Sequence, residues 1–179
     1  EQRRGGNEVV QGDAVHLPFR DKSTEVTHTR LVLMHLSPEK REEVIKDILR
    51  LTKERALFIE PDWRSFQGNE VVNRLRDFAL KFLGQKADLY FGAKLQTEIG
   101  RLFSESSSMV TARPFESKPI ADYGELIKMA QALKGLVNHN QPALLAEAEE
   151  IAKMVEEEGS KENPEAFTLP DFMLVEVRL

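Results

Sequence analysis

The sequence predicts an α/β fold in which a parallel sheet is built through crossover helices, and three observations carry that expectation. A strand candidate beginning at Glu25 is followed by helical periodicity in Val44, Ile45, Ile48 and Leu49, and then by the compact run Ala56-Leu57-Phe58-Ile59-Glu60. Parallel neighbours cannot be joined by tight hairpins, so an alternation of strand, helix and strand is their mark in a sequence. The third observation is composition: 179 residues, 41% hydrophobic and 31% charged, suffice for one ordinary domain with a sizeable core.

Each element has its own signal. Glu8-Val9-Val10-Gln11 reads as a short strand stopped by Gly12-Asp13, and residues 17–23, with Pro18 and the polar Arg20-Asp21-Lys22-Ser23, read as a loop. Residues 25–36 begin strand-like, and the polar Thr27-His28-Thr29-Arg30 suits a strand whose carboxyl end opens into a site. Ser37-Pro38-Glu39 supplies a capping hydroxyl, a proline for the first helical position and an acidic first turn, so a helix should run from there to about Thr52-Lys53. The strand at 56–60 is closed by Pro61-Asp62.

Val71, Val72, Leu75, Phe78, Ala79 and Phe82 recur at helical spacing within residues 69–83, and residues 93–103 offer another helix after Tyr90-Phe91-Gly92. Residues 109–120 form a strand candidate broken by Pro114 and Pro119. Two further helices are expected at 122–136 and 142–158, the second ending in a solvated acidic run. In residues 172–179, Met173, Val175, Val177 and Leu179 make one apolar face while Glu176 and Arg178 point the other way, which predicts a final strand. No repeat, linker or second domain stands out.

Composition also excludes function classes. A formal charge of −5, with Lys and Arg dispersed among carboxylates, argues against a general nucleic-acid binder. There is no cysteine, which rules out disulfides, thiolate zinc sites and a cysteine nucleophile, and suits a reducing cytoplasm. His16, His28, His35 and His139 lack the paired spacing of metal ligands, so no metal is expected. Apolar runs such as residues 31–34 and 56–59 fall far short of the roughly 20 residues of a membrane helix.

From Val9 to Trp63 the chain reads VVQGDAVHLPFRDKSTEVTHTRLVLMHLSPEKREEVIKDILRLTKERALFIEPDW. Block for block, this resembles the middle of the class I S-adenosylmethionine-dependent methyltransferases that act on small molecules. The softer likenesses of residues 90–95 and of the terminal FMLVEV extend the match over most of the chain. The resemblance implies a Rossmann-like methyltransferase sheet, parallel with an antiparallel last strand and with helices on both faces. It implies S-adenosyl-L-methionine as cofactor and a small organic substrate as methyl acceptor.

On the same resemblance, Asp13 and Ala14 stand where the adenine is held, the Asp accepting from its amino group, and Thr29 and Arg30 stand at the edge facing the methionine portion. Arg30 is alternatively a ligand for a substrate carboxylate or phosphate. Residues 122–158 become a helical insertion covering the substrate end. The family's glycine-rich turn and the acidic residue that grips the ribose are absent, and in the sheet order 3-2-1-4-5-7-6 the strands that carry them sit between the third and fourth. The expectation is therefore that an upstream segment or another chain fills that gap and that this chain is the C-terminal part of a methyltransferase domain.

Other candidates rest on position. Asp62 and Trp63 follow a strand at its carboxyl end, where open α/β sheets bind ligands, so they are the substrate-contact candidates. His35 is a weak candidate for general base, with an ordinary pKa near neutrality and a plainer reading as a residue just before a helix. Trp63 reads equally well as peripheral core, and Asp13 as a turn residue. The rival functions are a degenerate, non-catalytic domain acting in assembly and, last, a nicotinamide oxidoreductase. A homo-oligomer is compatible with either leading reading.

Overall fold

A computed structural model describes residues 9–103, 109–137 and 141–179. Its strands are β1 (Thr24–Arg30), β2 (Thr52–Asp62), β3 (Met109–Phe115) and β4 (Asp171–Arg178), and its helices α1 (Pro38–Leu51), α2 (Glu70–Leu83), α3 (Phe91–Leu102), α4 (Gly124–Leu136) and α5 (Pro142–Gly159). The sheet order is β1-β2-β4-β3, with β1 parallel to β2 and β4 antiparallel to both of its neighbours. This is the mixed sheet that the sequence led us to expect, with the antiparallel last strand inserted between β2 and β3. Proline 114 is tolerated because β3 is an outer strand, where one edge needs no N–H donor.

Local chemistry sets the boundaries. Ser37 caps α1 by accepting from the Lys40 amide, with Pro38 behind it, and Asn69 caps α2 by accepting from the Val72 amide at 3.1 Å. β2 begins at Thr52, immediately after α1, earlier than the expected 56, because Thr24 of β1 supplies a partner for Thr52. The expected strand at 8–11 is corrected: residues 9–12 form no strand, and Glu8 lies outside the described residues. A strand is a set of inter-strand bonds, and Val9 and Val10, 91% and 56% exposed, have no neighbour among the described residues to supply them.

The core follows strand alternation. Ala56 and Phe58 of β2 and Val175 and Val177 of β4 are fully buried, while Leu57, Ile59 and Leu174 on the other face are only partly so, and Glu176 on that face is buried beside Arg178. Val44, Ile45, Ile48 and Leu49 of α1 and Leu95 and Ile99 of α3 belong to the same core. Between β3 and β4 the chain makes a helical hairpin, α4 and α5, where an insertion was expected. Arg74–Glu150 at 3.1 Å and Lys81–Glu147 at 2.7 Å tie α2 to α5, and the Tyr123 hydroxyl donates to the Glu165 carbonyl and accepts from Asn69. The base of the hairpin is closed by reciprocal 2.8 Å backbone bonds between Ile120 and Phe167.

Candidate functional site

Because neighbouring residues of a strand point to opposite faces, β1 parts the two residues expected at the cofactor edge. Thr29 turns toward a cavity of about 380 Å³ between the loop after Asp13, β1 and α1; Ala14, Leu17 and Phe19 line one side and Val44, Ile48 and Leu51 the other. Arg30 is exposed, its guanidinium 5.5 Å from the centroid of the Phe172 ring on β4. The structure thus brings Ala14 and Thr29 together and sets Arg30 apart from them.

The wall carrying Ala14 is fastened to α1. Asp47 accepts from the Leu17 amide at 2.8 Å, and Arg50 donates to the Phe19 carbonyl at 2.9 Å and the Leu17 carbonyl at 3.3 Å. Hydrogen bonding from Arg50 holds the Asp47 carboxyl below its usual range. Asp13 closes a local turn, its Oδ1 accepting from the Val15 amide at 3.1 Å and its carbonyl from the His16 amide. Thr29 is 8% exposed, and its hydroxyl oxygen has no hydrogen-bond partner among the described residues. A buried hydroxyl without a partner is costly, and here it lies in the lining of a cavity of ligand size.

The carboxyl ends of β1 and β2 are locked together by a residue whose role the sequence did not disclose. Glu60 is 0% exposed, and its carboxylate accepts from the amides of Val32 at 3.1 Å, Leu33 at 2.8 Å and Met34 at 3.3 Å. These amides open the 3-10 turn Leu33–His35, where no preceding carbonyl is in helical register to receive them. Burial pushes the Glu60 carboxyl up, against the opposing pull of those three amides and of nearby His35. The one sequence signal was an acidic residue ending an apolar strand.

His35 itself is exposed at the end of that turn. Asp62 caps the 3-10 turn Trp63–Ser65 and pairs with Arg64; burial raises its carboxyl, but the Arg64 hydrogen bonds outweigh this and leave it low. Trp63 is 9% exposed and packs edge-on to Phe66 with centroids 5.4 Å apart, within the core cluster. Among the described residues there is no cluster of three or more His, Cys, Asp or Glu able to hold a metal, and no helix long and apolar enough to cross a membrane.

Residues 1–59 match a family model described as a methyltransferase domain. No curated protein matches the chain. A solved structure from Anabaena variabilis, described as a methyltransferase from an antibiotic biosynthesis pathway, has a TM-score of 0.59 and 18% identity, over 92% of this chain and 71% of its own. A Bacillus halodurans structure described as a methyltransferase has a TM-score of 0.48 and 12% identity, over 96% of this chain and 76% of its own. A Haemonchus contortus phosphoethanolamine N-methyltransferase, solved with phosphomonomethylethanolamine and S-adenosylhomocysteine, has a TM-score of 0.45 and 9% identity, over 93% of this chain and 36% of its own. The Anabaena structure carries the likeness of fold. The chain is thus similar to methyltransferases in sequence over residues 1–59 and in fold over most of its length.

Proposed function

We propose that the chain holds S-adenosylmethionine at the cavity between Ala14 and Thr29 and takes part in methyl transfer to a small organic acceptor. The observation that supports this reading is the buried Thr29 hydroxyl, unpartnered and lining that cavity beside the small side chain of Ala14. A small residue leaves room and an orphaned hydroxyl has a hydrogen bond to give, so the residues present fit a polar ligand with apolar parts. When bound, the cofactor's sulfonium supplies an electrophilic methyl group, which leaves positioning as the protein's task.

In this reading Asp13 and the Ala14 amide hold the adenine, and Thr29 and Arg30 border the methionine portion. Asp62 and Trp63 border the acceptor, residues 122–158 cover it, and His35 takes a proton where the nucleophile must lose one. The absence of cysteine suits a cytoplasmic setting. Calorimetric titration with S-adenosylhomocysteine tests the proposal. Saturable binding that Ala14→Phe abolishes supports it; a folded protein that binds nothing overturns it in favour of a non-catalytic assembly domain.

A further inference from the structure

The turn that follows β1 is held from two sides. On its amide side, the Glu60 carboxylate receives Val32, Leu33 and Met34. On its carbonyl side, Arg41 Nε donates to the Leu33 carbonyl at 2.9 Å and the Asp88 amide donates to the Met34 carbonyl at 2.7 Å. Arg41 is in turn fixed over the Phe91 ring at 4.1 Å and paired with Asp88 at 3.5 Å and Glu98 at 3.6 Å. The chain enters this turn through Leu31 at φ 58°, a conformation a leucine keeps only where its surroundings overdetermine it. Thr29 and Val32, on either side of Leu31, both line the cavity.

We infer that Glu60 is a positioning residue: its ionised carboxylate fixes the turn that sets Val32 and the end of β1 at the cavity rim, and so sets the grip on the cofactor. The inference rests on the methyltransferase reading of the cavity. Among the described ion pairs Glu60 has none, so its hydrogen bonds go to the three amides of the turn that carries Val32 to the cavity. The titratable group that acts on its carboxylate is His35 on the turn, while Arg41 of α1 and Asp88 ahead of α3 hold the turn from its carbonyl side.

The test compares the protein with its Glu60→Gln variant, in which one carboxylate oxygen becomes an N–H donor facing an amide. Amide hydrogen exchange at Val32, Leu33 and Met34 should accelerate at least about tenfold, with Ile45 and Ile48 of α1 unchanged, and S-adenosylhomocysteine affinity should fall about tenfold, one lost hydrogen bond to a charged group. The parent's affinity should also decline with acid on the alkaline side of the ordinary glutamate range, and the variant's should not. Unchanged exchange at the turn, or equal affinity and an identical pH profile in both proteins, overturns the inference. If neither protein binds S-adenosylhomocysteine while the turn loosens as expected, the cofactor reading fails and the structural clamp stands alone.

Discussion

Thr29→Val separates stability from binding, because the two should move in opposite directions. Threonine to valine in a protein interior normally costs stability through a lost hydrogen bond, but the Thr29 hydroxyl has none to lose among the described residues. An unmet buried hydroxyl carries a penalty of about 1–3 kcal/mol, and taking the low end, because the cavity admits water, removal should stabilise by about 1 kcal/mol. For a chain of this length that is a rise in melting temperature of about 2–4 °C. Valine fits the strand at least as well as threonine. In titration with S-adenosylhomocysteine the same variant should bind about five- to tenfold more weakly, for the hydrogen bond it can no longer offer. Circular dichroism melts and calorimetry on the same preparations measure both. A variant that melts lower than the parent refutes the orphaned hydroxyl, and one that binds as tightly refutes its place at the ligand.

Two glycines of α3 make a pair with opposite signs. A Cβ on Gly92 would come within 2.8 Å of the backbone of Glu60 and Pro61, which cannot yield, so Gly92→Ala should lose about 2 kcal/mol even after the helix-propensity gain; Gly100 meets nothing within 4 Å, and Gly100→Ala should gain up to about 1 kcal/mol. Urea unfolding of both distinguishes packing from propensity. Phe58→Ala, in a paired strand and fully buried, should cost about 3–5 kcal/mol by the same measurement. Asp47, held low by Arg50, contributes stability that is complete above the ordinary aspartate value of 3.8 and is lost as the pH falls toward the depressed one. Melting temperature against pH should therefore fall less steeply in acid for Asp47→Asn than for the parent.

Elements whose cause is local were legible in the sequence. Ser37-Pro38-Glu39 marks the start of α1, and the spacing of Val71 to Phe82 gives α2. The same two-residue period that predicts a strand also puts Thr29 and Arg30 on opposite faces of β1, so the separation of their side chains was legible as well. What escaped depends on distant partners. Val9 and Val10 have the composition of a strand and no strand neighbour among the described residues, and Glu60 acquires its meaning from a turn 26–28 residues earlier. Trp63 was readable as either wall or core, and its burial against Phe66 puts it in the core, while its contact with substrate stays a proposal.

The closed base of the α4–α5 hairpin has a consequence for how this domain can change. Chain entry and exit meet at Ile120 and Phe167, and the register of β3 on β4 is set beyond that junction, from Phe115 opposite Phe172 onward. The hairpin's exposed face can therefore vary without touching the sheet register, whereas its inner face, with Leu126, Leu133, Ile151 and Val155, is shared with the core and must be kept. Diversification of such a domain has a preferred address, and a library restricted to the exposed positions of α4 and α5 would sample new surfaces while leaving the core and the β1 end, with Thr29 and Glu60, as inherited.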